Sequence, residues 1–400
     1  MKKAVFAYWM FAFGIFILVL KSMGAYFFWN VKLGGMSLFV SVIGLIYIKT
    51  VRHVYKSNKI IWAFVFLLSY TIWDRDLLSQ INLGNIISCV PFLYVMMMPK
   101  EDKRSLLEFC SSGLALISGI SLIAFILLFF MDLPDAGVIT DEAFEHGNYS
   151  YTNYVILLKG AFYDIRFNAI FREPGHLAMI ASFFLFANRY DMKKWYNVVL
   201  LVVIGFTLSL AGYVLTFIGY LFYLQLNGNI AKVGRRIIVF LVFFVIAFVG
   251  IKNYNNGNNV VNELIILRTE YDEDKGIQGN NRFGGRTDAV FSKAIDDGSI
   301  LVGVGRDERS RLARIGLATG AGYKMHLIDK GMIGTFLIFM FYYVLAKDSP
   351  YRRFAFFMLL LYCLSFLQRA YPVWAAWLIP FVTSIYLDDS PKRVTLKRRN

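Results

Sequence analysis

Apolar residues in this chain come in blocks of roughly 11 to 26, separated by short polar stretches, from its first residues to its last. The blocks fall near residues 4–20, 33–48, 60–73, 83–98, 106–131, 171–188, 198–208, 211–226, 237–251, 323–346, 354–369 and 372–387. In hydrocarbon each backbone amide needs a partner within its own segment, so such blocks predict membrane-crossing helices. The ten-residue alternating strands of a membrane β-barrel are absent. The chain reads as one all-α polytopic integral membrane domain, residues 1–400, with about twelve transmembrane helices.

The stretch 197–226 decides the count. As one helix it would be ~45 Å long, too long for a ~30 Å core without tilt. Thr207-Leu208-Ser209-Leu210-Ala211-Gly212 offers a turn, which makes two short spans. Charge favours two. The short loops with Lys49, Arg52, Lys56 and Lys59, with Lys100, Lys103 and Arg104, and with Arg189, Lys193 and Lys194 then share one side. Lys232, Arg235 and Arg236, then Lys347, Arg352 and Arg353, and the two basic termini join them. Short basic loops mark the cytoplasm, so both termini are expected there. Lys2-Lys3 and the run after it read as an uncleaved first helix, because no small-residue cleavage site precedes the next span.

Composition agrees: hydrophobic residues are 58% of the chain, charged residues 17%, and mean hydropathy is +0.54. The net charge of +15 is mostly this loop pattern plus attraction to anionic membrane lipid. No nucleic-acid motif accompanies it, so no nucleic-acid partner is expected. Cys89, Cys110 and Cys363 lie in or beside apolar blocks and read as small core residues.

Two loops face outward on this topology. Residues 132–170 form an acidic, aromatic first outward loop. Residues 252–322 form a large outward loop between helices 9 and 10, rich in arginine in its second half. Long loops cross regardless of their charge. So many arginines held against a membrane point to an anionic ligand.

Three clusters carry candidate chemistry. The first runs from Arg166 to Arg172-Glu173-Pro174-Gly175-His176 at a helix start, where Pro174 suits the first turn. Its arginines are suited to phosphate oxygens, and Glu173 or His176 to a base; the bland alternative is helix capping and snorkelling. The second is Asn281-Arg282-Phe283-Gly284-Gly285-Arg286, then a predicted helix at 287–296, then Gly303-Val304-Gly305-Arg306. It lacks the Gly-Lys-Ser/Thr of a P-loop and reads equally as a solvated loop with glycine turns. The third is Tyr323 to Gly334, where His326 is either an interfacial base or a histidine bonded to backbone. Arg369 is a further cation at an outward helix edge. His53 and His146 have no ligand-spaced partner, so neither a metal nor a cofactor is expected.

In order and content these segments resemble the bacterial O-antigen polymerase and O-antigen ligase superfamily of integral membrane glycosyltransferases. The resemblance covers roughly residues 100–390. It rests on Arg166…Phe171-Arg172-Glu173-Pro174-Gly175, Leu208 to Gly212, Gly285-Arg286…Gly303-Val304-Gly305, and Gly331-Met332-Ile333-Gly334. It implies sugar chains carried on undecaprenyl diphosphate in a bacterial inner membrane, with the two outward loops in the periplasm and with Arg166 or Arg172 and Arg286 on the diphosphate. From the residues themselves Arg282 is a further diphosphate ligand, and Glu173, His326 and Arg286 are the catalytic candidates. His176, Arg306 and Arg369 are further candidates. Ligases carry a histidine about ten residues before the late Gly-x-x-Gly, where this chain has Ala321, and that favours a polymerase. A polymerase joins lipid-linked oligosaccharide repeats, with a chain-length regulator as a further partner. The alternatives are a ligase acting on lipid A core and, from another class, a transporter or flippase of the same lipids. A transporter should show paired half-sequences or broken helices.

The topology is testable by cysteine accessibility. A cysteine placed at Asn256 should label from outside the intact inner membrane, and one at Gly228 only after permeabilisation. The reverse pattern would overturn the orientation.

Overall fold

The computed structural model describes residues 2–51, 53–75, 83–141, 149–160, 165–228, 234–235, 249–250, 252–259, 261–262, 271–272, 276–277, 285–317 and 322–387. Its helices are α1 (Lys2–Ser22), α2 (Leu33–Thr50), α3 (Asn58–Ile72), α4 (Leu83–Met97), α5 (Lys100–Leu127), α6 (Pro174–Ala187), α7 (Trp195–Phe206) and α8 (Leu210–Leu226). They continue with α9 (Gly285–Asp296), α10 (Arg306–Arg314), α11 (Tyr323–Asp348), α12 (Arg352–Gln368) and α13 (Ala375–Ser384). Eleven of the twelve predicted blocks coincide with one of these; most of 237–251 lies outside the described residues. Among the described residues, α1, α2, α5 and α11 are long and apolar enough to cross a membrane, and six shorter helices are apolar too. The protein is mostly helical and membrane-embedded.

The break predicted near residue 208 is present. α7 ends at Phe206, Leu208 turns through a positive φ of 46°, and the Ser209 hydroxyl accepts from the Gly212 amide as α8 begins. The first hydrophilic loop is more ordered than a sequence of turns suggests. It contains the antiparallel strands β1 (Val138–Asp141), β2 (Tyr149–Asn153) and β3 (Leu158–Gly160), in that order.

α6 and α13 have no polar stripe, and every residue of each is buried. A helix apolar all round belongs at a centre. α6 packs against α7, α8, α12 and α13, while α13 also touches α1, α4 and α5. Inside this core the Ser182 hydroxyl meets the Thr216 hydroxyl at 2.7 Å, joining α6 to α8.

One end of the bundle is locked by Asp348, whose side chain is buried. Its carboxylate accepts from the Tyr55 phenol (3.0 Å), the Ser57 hydroxyl (2.7 Å) and the Tyr386 phenol (2.9 Å). Burial, and then the Asp348 charge, push the Tyr55 phenol up to about 12, so it stays a donor. Lys103, also buried, lies over the rings of Tyr386 (3.7 Å) and Tyr55 (4.9 Å). The α2–α3 linker, α5, α11 and the chain after α13 thus meet at one polar point.

α11 is not continuous. Gly331 adopts φ 66°, ψ −175° and splits it. The break is filled by the loop before α10, where Gly303 has φ 92°. The Val304 amide donates to the Ile328 carbonyl (2.8 Å), and the Trp73 indole donates to the carbonyls of Lys330 (2.9 Å) and Val302 (3.2 Å). A Cβ on Gly331 would lie 2.5 Å from the Gly303 amide nitrogen. The two glycine motifs that the sequence separates therefore pack against each other. Here they close the break in α11.

Gly331→Ala and Gly303→Ala should each cost about 1–3 kcal/mol or more, because alanine is strained at positive φ and meets backbone at once. Gly35→Ala, in open space on a helix, should be neutral or mildly stabilising. Thermal unfolding of the purified protein in detergent measures all three. Equal midpoints for Gly331→Ala and Gly35→Ala would refute this packing.

Candidate functional site

α12 ends where Pro372 approaches, and Arg369 is its C-cap in extended backbone (φ −142°, ψ 100°). Its side chain turns inward and is 1% exposed. On the other side, Glu173 is the N-cap of α6 with Pro174 at the first helical position. Its carboxylate makes no capping bond. Instead it accepts from Arg369 Nη2, while Arg369 Nη1 meets His176 Nε2. A guanidinium only donates, so this Nε2 accepts, and the proton of the neutral ring sits on Nδ1.

Gly175 makes room for the cluster. A Cβ there would stand 3.0 Å from Arg369 Nη2, a tight contact, so glycine gives the guanidinium room to lie across the first turn of α6. The His176 ring is boxed edge-on by Trp374 (5.1 Å) and Tyr371 (5.7 Å), which stack on each other at 4.0 Å. Glu173 is the most open member, its side chain 14% exposed. The cluster is therefore least covered on the Glu173 side.

Arg172, next in sequence, faces elsewhere. Its Nη2 donates to Asp141 Oδ1 at 3.0 Å, and its Nε pairs with the other oxygen of that carboxylate. It also lies 5.4 Å from the Trp29 ring, and its carbonyl accepts from the Tyr151 phenol (3.0 Å). The Tyr26 amide donates to the Ile170 carbonyl (3.2 Å). Residues 170–172 are thereby held between the β1–β3 sheet and the α1–α2 linker, which sets where Glu173 begins α6.

The other sequence candidates are dispersed. Arg166 Nε donates to the Thr207 carbonyl (3.1 Å) at the α7–α8 turn. His326 is buried between the rings of Tyr70 (5.8 Å, nearly parallel) and Phe366 (4.8 Å), within the packing of α3, α11 and α12. Its neighbour Phe366 lies one turn of α12 before Arg369, and His326 is not among the groups that hold Arg369 in the Glu173 cluster. Arg282 lies outside the described residues; the backbones of Arg286 and Arg306 begin α9 and α10, and their side chains lie outside the description. Among the described residues no group of three His, Cys, Asp or Glu side chains is placed to hold a metal.

The structure thus brings Arg369, which sequence reading left apart, to Glu173 and His176, which it placed in one cluster. The aromatic box of Tyr371 and Trp374 was missed. The available signal was an arginine ending an apolar block, followed by Tyr371-Pro372 and Trp374. Asp141 was seen only as one acid among several.

No family model, curated protein or solved structure matches this chain. The resemblance to O-antigen polymerases and ligases therefore rests on its motifs alone.

The Asp141–Arg172 pair makes a prediction that needs no assay of activity. Asp141→Asn should raise amide hydrogen exchange across 149–172 by at least about tenfold, the low side for breaking a part-buried ion pair. Exchanging the partners, Asp141→Arg with Arg172→Asp, should recover part of the protection. Unchanged exchange in Asp141→Asn would show that the pair does not hold the sheet.

Proposed function

We propose that the protein is a polysaccharide polymerase of the bacterial inner membrane that joins undecaprenyl-diphosphate-linked oligosaccharide repeats. In this reading about twelve helices cross the bilayer. Both termini and the Asp348 end face the cytoplasm, and the Arg369 end faces the periplasm. The observation that carries it is the buried Arg369 with Glu173 and His176, at the bundle end opposite the basic loops. A cation buried beside a membrane edge is costly, and such residues mark functional sites.

The chemistry follows from the leaving group. An acceptor hydroxyl oxygen bonds to the anomeric carbon of the donor sugar, while the bond from that carbon to the diphosphate oxygen breaks. Undecaprenyl diphosphate departs with the bonding electrons. Negative charge grows on that diphosphate, so a prepositioned guanidinium stabilises the transition state more than the ground state. Glu173 holds Arg369 in place before the donor arrives. Once Arg369 turns its donors to the diphosphate, the open Glu173 carboxylate is free to take the hydroxyl proton. His176, oriented by Trp374 and Tyr371, keeps the guanidinium in plane. Arg172 supports the site through Asp141, and Glu173 is the base ahead of His326. Arg166, Arg282, Arg286 and Arg306 remain candidates for the remaining phosphate oxygens and the sugar chain.

A transporter of the same lipids is the second reading, because α11 is broken at Gly331, as transport helices often are. Against it, the break is closed by Trp73 and the Gly303 loop.

With purified protein and lipid-linked repeats, Arg369→Ala and Glu173→Gln should lower polymer formation at least about a hundredfold, as for loss of a transition-state donor. Arg369→Lys should rescue poorly, because lysine lacks the planar two-point contact. Glu308→Ala, on the exposed face of α10, should leave the rate unchanged. A wild-type rate in Arg369→Ala would remove this cluster from the mechanism. Movement of the lipid across proteoliposomes without polymer would favour the transporter.

A further inference from the structure

The turn between β2 and β3, Tyr154-Val155-Ile156-Leu157, is apolar where turns ordinarily carry glycine, asparagine or aspartate. The Val155 and Ile156 side chains are exposed, at 52% and 42%, while Leu157 is fully buried. Val155 holds φ 67°, a conformation that a β-branched residue adopts only at a cost. Glycine or asparagine would fill that position with less strain. An apolar side chain there is favoured only if its surroundings are apolar too.

The backbone of this tip is satisfied without water. The Val155 amide donates to Asn153 Oδ1 (2.8 Å), and the Val155 carbonyl accepts from the Tyr26 phenol (2.8 Å). The Ile156 amide donates to the Tyr154 carbonyl (2.8 Å). The Ile156 carbonyl accepts from the Ser121 hydroxyl, which also reaches the Ile117 carbonyl on its own helix. Surface loops leave many such groups to solvent, whereas irregular backbone at membrane depth needs protein partners. Position agrees. Ser121 lies six residues before Leu127, the end of α5, roughly 9 Å at helical rise. Ile120 and Ile123, to either side of it, are exposed on α5. Beyond them the exposed apolar surface continues through Leu127 to Phe130 and Met131, and the first charge is Asp132. The tip thus touches α5 within its apolar band, short of its polar end.

We infer that the β2–β3 tip dips into the bilayer on the Arg369 side, with the acyl chains of that leaflet as the partner of Val155 and Ile156. The sheet then stands across the interface. Its tip lies at the hydrocarbon edge, and the Thr140–Ser150 pair, toward the other end of β1 and β2, lies among headgroups and water. The hold of the leaflet passes inward through backbone, since the Leu158 amide donates to the Ala169 carbonyl (2.8 Å), three residues before Arg172. A lipid-anchored hairpin thereby sets the height of the segment that leads into α6. None of this depends on the polymerase reading; it requires only a membrane around the helices.

The test uses the full chain in vesicles of phosphatidylethanolamine and phosphatidylglycerol, with a small share of phospholipid that carries a diazirine on one acyl chain. Photolysis of the unaltered protein should label 154–157 as strongly as 120–127 on α5, and should leave 149–151 unlabelled. Nitroxides placed singly through Val155→Cys, Ile156→Cys and Ser150→Cys, in a chain with Cys89→Ala, Cys110→Ala and Cys363→Ala, read the same point. At 155 and 156 collisions with oxygen, which concentrates in hydrocarbon, should exceed those with a water-soluble nickel chelate, and at 150 the order should reverse. Nickel-dominated collisions at 155 and 156 overturn the inference, and so does a diazirine map that omits 154–157. Shielding of Ile156→Cys from both reagents, with a disulfide forming between two copies, overturns it as well, because a second copy of the chain then covers the tip. Where a cysteine variant fails to fold, photolabelling of the unaltered protein decides.

Discussion

A guanidinium cannot shed its proton, so an arginine buried at the end of a membrane bundle must be held by partners. Arg369 meets that constraint with Glu173 and His176. In doing so it fastens the end of α12 to the start of α6, with the approach to α13 packed around the same histidine. Taking away one partner would strand a charge, at about 3–5 kcal/mol for a buried pair. Replacing the whole cluster with well-packed apolar side chains is often neutral or stabilising. Stability alone therefore gives no reason for an arginine here, whereas recognition of an anion does.

The two ends of the bundle handle buried charge differently. At the Asp348 end one carboxylate is surrounded by hydroxyl donors from three parts of the chain, and Lys103 rests on the aromatic rings of two of those donors. Many short contacts converge, and none is available to a ligand without dismantling the others. At the Arg369 end a guanidinium is held by a carboxylate and a histidine, and the Glu173 side chain is 14% exposed. The sealed break in α11 separates these regimes, with Trp73 and Gly303 restoring partners to the backbone that Gly331 frees. A stiff frame thus supports a buried polar cluster whose Glu173 side is partly exposed.

The asymmetry extends to the arginines of one short segment. Arg172 and Glu173 are adjacent, yet Arg172 anchors the β1–β3 sheet through Asp141 while Glu173 turns to Arg369. The β-region backbone of Glu173, just before the proline, sends the neighbouring side chains to opposite sides. One residue in position separates a structural ion pair from a candidate reaction centre.

The helices were legible because their causes are local. Apolar length marks a span, Pro174 marks a helix start, and Ser209 with Gly212 marks the turn that divides 197–226. The helix expected at 287–296 is present as α9 for the same kind of reason. The candidate site was legible only as a set of separate residues. Arg369 lies 196 positions from Glu173 and 193 from His176, and nothing near it in the chain distinguishes an arginine that snorkels from one that is buried and paired. His326 and Arg172 looked equally suited to chemistry, until the packing of α3 against α11 enclosed the first and the sheet engaged the second. Hydrophobic length and loop charge act within a segment, so the sequence by itself determined a helical membrane protein and most of its helices. Which polar groups meet depends on contacts of a few ångströms between helices far apart in the chain, and only the tertiary structure decided that.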